Sequence, residues 1–191
     1  MKRKNTKFLW LVLIVDAICS MMMGTETQIM SRGRRIMEFV IEKDISQDTI
    51  IQIVEIARDY TKDYFTDNYP EDMKTDMLFQ RAVMLKKGSE IVSCIVFTCL
   101  DGSAHITMMA TKRDFINKGY GKLLMRLFAE YVSELGLNSI ELYTYSPESR
   151  PVYAATVGFY ESVGFMITRE HKDLWEIGTT TLKMRKSWRQ K

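Results

Sequence analysis

The sharpest chemical signal in the chain is Lys118-Gly119-Tyr120-Gly121-Lys122. It follows an apolar, strand-like run and opens a helical stripe of Leu123, Leu124, Leu127, Phe128, Tyr131, Val132 and Leu135, which Gly136 stops. Two glycines permit a tight turn in which successive N–H groups point at one anion. The helix that follows adds the positive end of its dipole, worth roughly 0.3–1 kcal/mol per charge and up to ~2 kcal/mol when partly buried. Lys118 and Lys122 flank the turn, so the segment suits phosphate. It is neither of the two common nucleotide loops. A Walker A loop would need Gly at Ile116 and Ser or Thr at Leu123, and a dinucleotide fingerprint would need a third Gly at Leu124. Taken alone, the pattern also fits a plain strand-to-helix turn.

The elements that must position this turn are readable from periodicity. Glu38–Glu42 has strand propensity. Ser46 caps a helix with apolar positions Ile50, Ile51, Ile53, Val54, Ala57 and Tyr60, and Asp48 lies in its favourable first turn. Pro70 opens a second, shorter helix. Three strands follow, Ala82–Lys86, Ile91–Leu100 and His105–Thr111, joined by hairpin turns at Gly88-Ser89 and Asp101-Gly102. After the long helix come a strand at Ser139–Ser146 and a helix begun by Pro151, carrying Val152, Ala155, Phe159 and Val163. Gly164-Phe165 ends that helix as a Schellman cap does. Phe165–Arg169 and Thr179–Met184 read as two last strands. The order β-α-α-β-β-β-α-β-α-β-β predicts an α/β (α+β) fold, a mixed sheet with helices on both faces. Residues 37–187 read as one domain, 188–191 as a tail.

The turn at 118–122 is followed about thirty-five residues later by Ala155-Thr156-Val157-Gly158-Phe159-Tyr160-Glu161-Ser162-Val163-Gly164-Phe165. In this order, with one helix and one strand between them, the pair resembles the GNAT acetyltransferase superfamily. That family's pattern is Gln/Arg-x-x-Gly-x-Gly/Ala, then a helix, a strand, and a helix ending in Phe/Leu-Tyr-Glu-x-x-Gly-Phe. Tyr153-x-x-Thr156-x-x-Phe159-Tyr160, with Asp173-Leu174-Trp175-Glu176-x-Gly178 and a strand after it, is similar to a subgroup with a late aromatic-x-x-Gly turn. Two residues depart from the pattern: Ile116 stands where Gln or Arg is usual, and Tyr153 where many members have Asn.

The resemblance implies a mostly antiparallel sheet and acetyl-CoA as co-substrate, lying between His105–Thr111 and Ser139–Ser146 where these strands splay. Met109, Ala110 and Thr111 would meet its pantetheine arm, with Tyr153 nearby, and residues 118–122 its pyrophosphate. Tyr160 would be general acid to the departing thiolate, since a phenol near pKa 10 is protonated at neutral pH. For a general base, Glu141 is better placed than Glu148 or His105, although a solvated strand carboxylate is the commoner origin of such a residue. The acceptor would meet Tyr64, Phe65, Asp67 and Trp175. An acidic, aromatic rim of Asp63, Asp67, Glu71, Asp72 and Asp76 among Tyr64, Phe65 and Tyr69 suits a cationic amine. An aromatic at 175 equally suits a homodimer surface. The expected activity is N-acetylation of a small-molecule primary amine. The alternatives are a peptide or protein acceptor, or a non-catalytic acyl-CoA-binding domain.

Composition sets the outer bounds. The 191 residues are 46% hydrophobic and 27% charged, which is ordinary globular composition. Residues 1–36 carry 7 Lys+Arg against 2 acids and residues 37–191 carry 20 against 22, so the net +3 divides into +5 and −2. A body of net negative charge argues against a nucleic-acid partner. No Cys/His spacing suggests a metal site. Cys94 and Cys99 lie on opposite faces of one strand, so they cannot bridge and are expected as core thiols. His171 is expected at the surface. The head combines a basic start, an apolar run at Phe8–Val15 and Asp16, which resembles a secretory signal or anchor but lacks a cleavage site. A natural start at Met37 is a third reading, and only a real head would bring a membrane partner. Reduced cysteines and acetyl-CoA use point to the cytoplasm.

Overall fold

The computed structural model describes residues 25–32, 35–65 and 68–188. The apolar run of the head and Asp67 fall outside them. The strands are β1 (Thr25–Arg32), β2 (Arg35–Glu42), β3 (Arg81–Lys87), β4 (Glu90–Leu100), β5 (Ser103–Thr111), β6 (Ser139–Tyr145), β7 (Met166–Lys172) and β8 (Thr180–Ser187). The helices are α1 (Gln47–Arg58), α2 (Tyr69–Asp76), α3 (Tyr120–Glu134) and α4 (Ala154–Ser162). The expected order holds from β2 onward. Strand β1, within the segment read as an extension, pairs antiparallel with β2 from Thr25↔Glu42 to Arg32↔Arg35.

The eight strands form one sheet in the order β1-β2-β3-β4-β5-β6-β8-β7. Every pairing is antiparallel except β5 with β6, which α3 joins by a crossover. Alternation along the strands feeds two cores. On one face Phe39, Leu85, Phe97, Ile106 and Leu142 pack against Leu124, Phe128 and Val132 of α3 and Val157 and Tyr160 of α4. On the other, Val40, Met84, Val96 and Met108 pack against Ile53, Val54 and Ala57 of α1 and Met73.

Local chemistry sets the ends of the elements. The Ser46 side chain accepts from the Thr49 N–H at 3.3 Å, as an N-cap does. Gly164 closes α4 at φ +93°, with Phe165 N–H on Tyr160 O and Gly164 N–H on Glu161 O, both at 3.0 Å. Three expectations are corrected. Helix α1 ends at Arg58, so Tyr60 lies in the turn beyond it. Ile51 points to solvent at 56% exposure, because a stripe facing the sheet is narrower than six residues in eleven. Cys94 is buried, but Cys99 is exposed near the end of β4, where the sheet's cover runs out.

Candidate active site

Strands β5 and β6 pair only from Ser103↔Ser139 to Ile106↔Leu142 and then part. The cause lies on β5. Phe97 opposes Ile106 but Val96 opposes Met108, so Thr107 is an extra residue, and such a bulge bends and twists its strand. Its carbonyl accepts from the Tyr69 hydroxyl at 3.4 Å, and its Oγ1 donates to Val96 O at 3.1 Å. Beyond the bulge, Lys112 N–H donates to Val92 O and Ser93 Oγ to Ala110 O. Alternation therefore turns the N–H and C=O groups of Met109 and Thr111 toward the gap. The Tyr60 hydroxyl donates to Thr111 O, leaving Met109 as an open strand edge facing the gap.

At the end of this gap stands the turn singled out by the sequence. Asn117 and Gly119 are both left-handed, at φ +58° and +83°. Asn tolerates that conformation through its short polar side chain, which is the sequence signal that could have marked it. The first α3 hydrogen bond runs from Leu123 N–H to Gly119 O, so the amides of Tyr120, Gly121 and Lys122 precede the ladder. A Cβ on Gly121 would lie 3.4 Å from Phe159 and 3.6 Å from Met109, so this residue meets the cleft floor. The two lysines do not converge on the turn as their spacing suggests. Lys118 Nζ donates to Asp114 O at 2.5 Å, and Lys122 lines a separate groove between α3 and the end of β8.

The gap widens into a cleft of about 330 Å³. Of the expected site residues, Tyr64, Phe65, Met109, Ala110, Thr111, Gly121, Tyr153 and Tyr160 line it together. The motif residues Ile116, Thr156 and Phe159 also line it, as do Tyr60, Thr107, Tyr143 and Thr144, to which the sequence reading assigned no site role. Ile116 therefore presents an aliphatic chain where the family pattern has a polar one. Tyr160 is 7% exposed and packs on Phe165 and Phe159 at ring distances of 5.3 Å. Its hydroxyl has no hydrogen-bond partner among the described residues, and burial pushes its pKa up. Tyr153 donates to Tyr64 O, and burial raises its phenol to about 12. Trp175 lies outside the lining, edge-on to Tyr145 at 5.0 Å and half-exposed.

Glu141, expected as base, lies elsewhere. It sits opposite His105 in the closed part of the β5–β6 ladder and is 2% exposed. Lys183 approaches it at 2.7 Å, Arg185 pairs with it, and His105 Nδ1 lies at 3.6 Å. Burial pushes its carboxyl up, but hydrogen bonds from Lys183 and Arg185 and their charges more than offset this, and its pKa is lowered. A carboxylate so held accepts a proton poorly and is an ion-pair centre. Glu148 is exposed outside the lining. The acidic rim is also engaged: Asp63 pairs with Arg113 at 3.3 Å, and Glu71 with Arg58 and Lys74.

A splayed strand pair with a glycine turn and helix N-terminus at its end is the arrangement that the family resemblance implies. The family model described as "Acetyltransferase (GNAT) family" matches residues 50–165, well over half of the chain. The chain belongs to the GNAT acetyltransferase family. As a GNAT-type acyltransferase it has many structural neighbours. A GNAT-family protein from Desulfovibrio desulfuricans superposes with a TM-score of 0.67 at 13% identity, covering 78% of this chain and 98% of the other. An aminoglycoside 6'-N-acetyltransferase solved with coenzyme A gives 0.63 at 15%, covering 79% and 99%. An Escherichia coli N-acetyltransferase acting on an alanine of a ribosomal protein gives 0.63 at 12%, covering 80% and 96%. Similarity at these identities reports the fold. No curated protein matches the sequence.

Proposed function

We propose that this GNAT acyltransferase moves an acetyl group from acetyl-CoA directly to a primary amine of a small molecule. The observation that carries the reading is the cleft itself: an open β5 edge at Met109, the α3 amides at one end and Tyr160 in the wall. The Met109 edge offers the pantetheine arm strand-like hydrogen bonds. The amides of residues 120–122 and the α3 dipole suit the pyrophosphate. Neighbours in this fold solved with coenzyme A support the choice of co-substrate.

The amine nitrogen attacks the thioester carbon. A backbone N–H on the β5 edge polarises the carbonyl as charge develops there. The C–S bond breaks with its electron pair on sulfur, Tyr160 donates its proton to that sulfur, and the proton lost by the nitrogen restores the phenol. A phenol held neutral by burial is in the donating form at every physiological pH. The wall of Tyr64, Phe65 and Tyr153 closes the acceptor end around a small molecule. The decisive experiment is Tyr160→Phe, followed by acetyl-CoA-dependent thermal shift and thiol release. Retained binding with lost turnover is expected, and unchanged turnover removes Tyr160 from the mechanism.

A further inference from the structure

The described side chains lining the cleft are aromatic, aliphatic or hydroxyl-bearing, and none is Asp, Glu, His, Lys or Arg. Three of the described acids near it already have cationic partners. Asp63 holds Arg113, Glu71 holds Arg58 and Lys74, and Glu176 holds Arg150. Such a cleft treats an incoming amine in two ways. Its aromatic wall strips water from the nitrogen, which disfavours the ammonium form. Among the described lining residues it also offers that ammonium no carboxylate or imidazole to take its proton.

Granted acetyl transfer in this cleft, we infer that the acceptor is a weakly basic primary amine on an apolar body, bound uncharged. The class comprises aromatic amines and α-amino groups beside a carbonyl; polyamines and other strongly basic amines fall outside it. The step then balances with no proton stored on the enzyme. The nitrogen lone pair forms the C–N bond, the C–S pair leaves on sulfur and takes the Tyr160 proton, and the proton lost by the nitrogen restores the phenol, giving an amide and a thiol. Thr144, 4% exposed, is a wall residue whose Oγ1 has no partner among the described residues. That oxygen is itself closed off from solvent, so it sets neither a charge nor an open proton acceptor opposite the nitrogen.

Protonation equilibria turn this into selectivity. At pH 7.5 an α-amino group of pKa about 7.7–8.0 is roughly one-third uncharged, whereas an alkylamine near 10.4 is uncharged in roughly one molecule in 800. The test uses the full chain and acetyl-CoA, with thiol release followed from pH 6 to 10. The acceptors are phenylalanine amide, phenethylamine and spermidine. Phenylalanine amide should exceed phenethylamine in kcat/KM at pH 7.5 on the order of 100-fold. Each profile should rise to the pKa of its own amine, so the inflection moves with the acceptor. One inflection common to all amines, or spermidine as the better acceptor, overturns the inference. So does acetyl-CoA binding with no thiol release from the weakly basic amine. Absence of an acetyl-CoA thermal shift and of thiol release with every amine instead brings down the acetyl-transfer reading on which it rests.

Discussion

Tyr160 lines the cleft with a hydroxyl that has no partner among the described residues, while its ring is fixed by Phe159 and Phe165. Removing that oxygen should therefore touch chemistry more than folding. For Tyr160→Phe we expect kcat to fall about 10²–10⁴-fold, the usual worth of a positioned acid, with acetyl-CoA affinity held. Its unfolding free energy should change by less than about 1 kcal/mol, since no intramolecular hydrogen bond is lost. Glu141→Gln should do the opposite. It leaves Lys183 and Arg185 without their shared anion. Both cations keep partial access to water, so we expect about 1–3 kcal/mol of lost stability by urea titration, and less than a tenfold change in kcat/KM. A collapse of turnover with stability intact would return Glu141 to the role of base.

At the scale of elements, the turn into α3 and the end of the β5–β6 ladder make the site, and glycine separates two kinds of constraint. Gly119 has φ +83° with nothing within 4 Å of an added Cβ, so its constraint is conformational and not steric. Gly119→Ala should cost about 1–2 kcal/mol and weaken acetyl-CoA binding, because the strain acts on the amides proposed to hold the pyrophosphate. Gly158, inside α4, also has nothing within 4 Å and carries no such backbone demand. Gly158→Ala should stabilise by roughly 0.5–1 kcal/mol through helix propensity. Urea denaturation of the two variants distinguishes them by sign.

At the scale of the molecule, three phenols partly or fully withdrawn from water gather around the cleft. Tyr69 donates to Thr107 O across to β5, Tyr153 donates to Tyr64 O, and Tyr160 sits in the core beside them. Burial raises Tyr69 and Tyr153 to about 12 and pushes Tyr160 up as well, against about 10 for an unfolded tyrosine. Below pH 10 both folded and unfolded forms are protonated and these groups add no pH dependence. Above it the unfolded chain ionises first, so stability is lost as pH rises toward the folded values. The Cys94 thiol, raised by burial from 9.0 to about 12, begins the loss near pH 9, so a melting temperature falling gently from pH 9 and steeply from 10 to 12 is expected. A Tyr69→Phe, Tyr153→Phe double variant should show a shallower fall.

The sequence by itself determined the helices, the hairpins and the phosphate-suited turn, because each depends on neighbours along the chain: Ser46 capping α1, Asp101-Gly102 turning β4 into β5, Gly119 and Gly164 at the helix ends. It also placed Met109–Thr111, Gly121, Tyr153 and Tyr160 in one cleft, since the paired motifs carry the order of the elements that bring them together. Only the tertiary structure decided what required distant partners. The bulge at Thr107 is an offset between two strands and leaves no mark in composition. The fate of each charge depended likewise on what folding set beside it. Glu141 was drawn into an ion pair with β8, and Asp63 was given to Arg113. The spacing of charges along the chain fixes their number near a site. Which of them remains available to a ligand is settled by three-dimensional pairing, because an opposite charge a few ångströms away outweighs any separation in sequence.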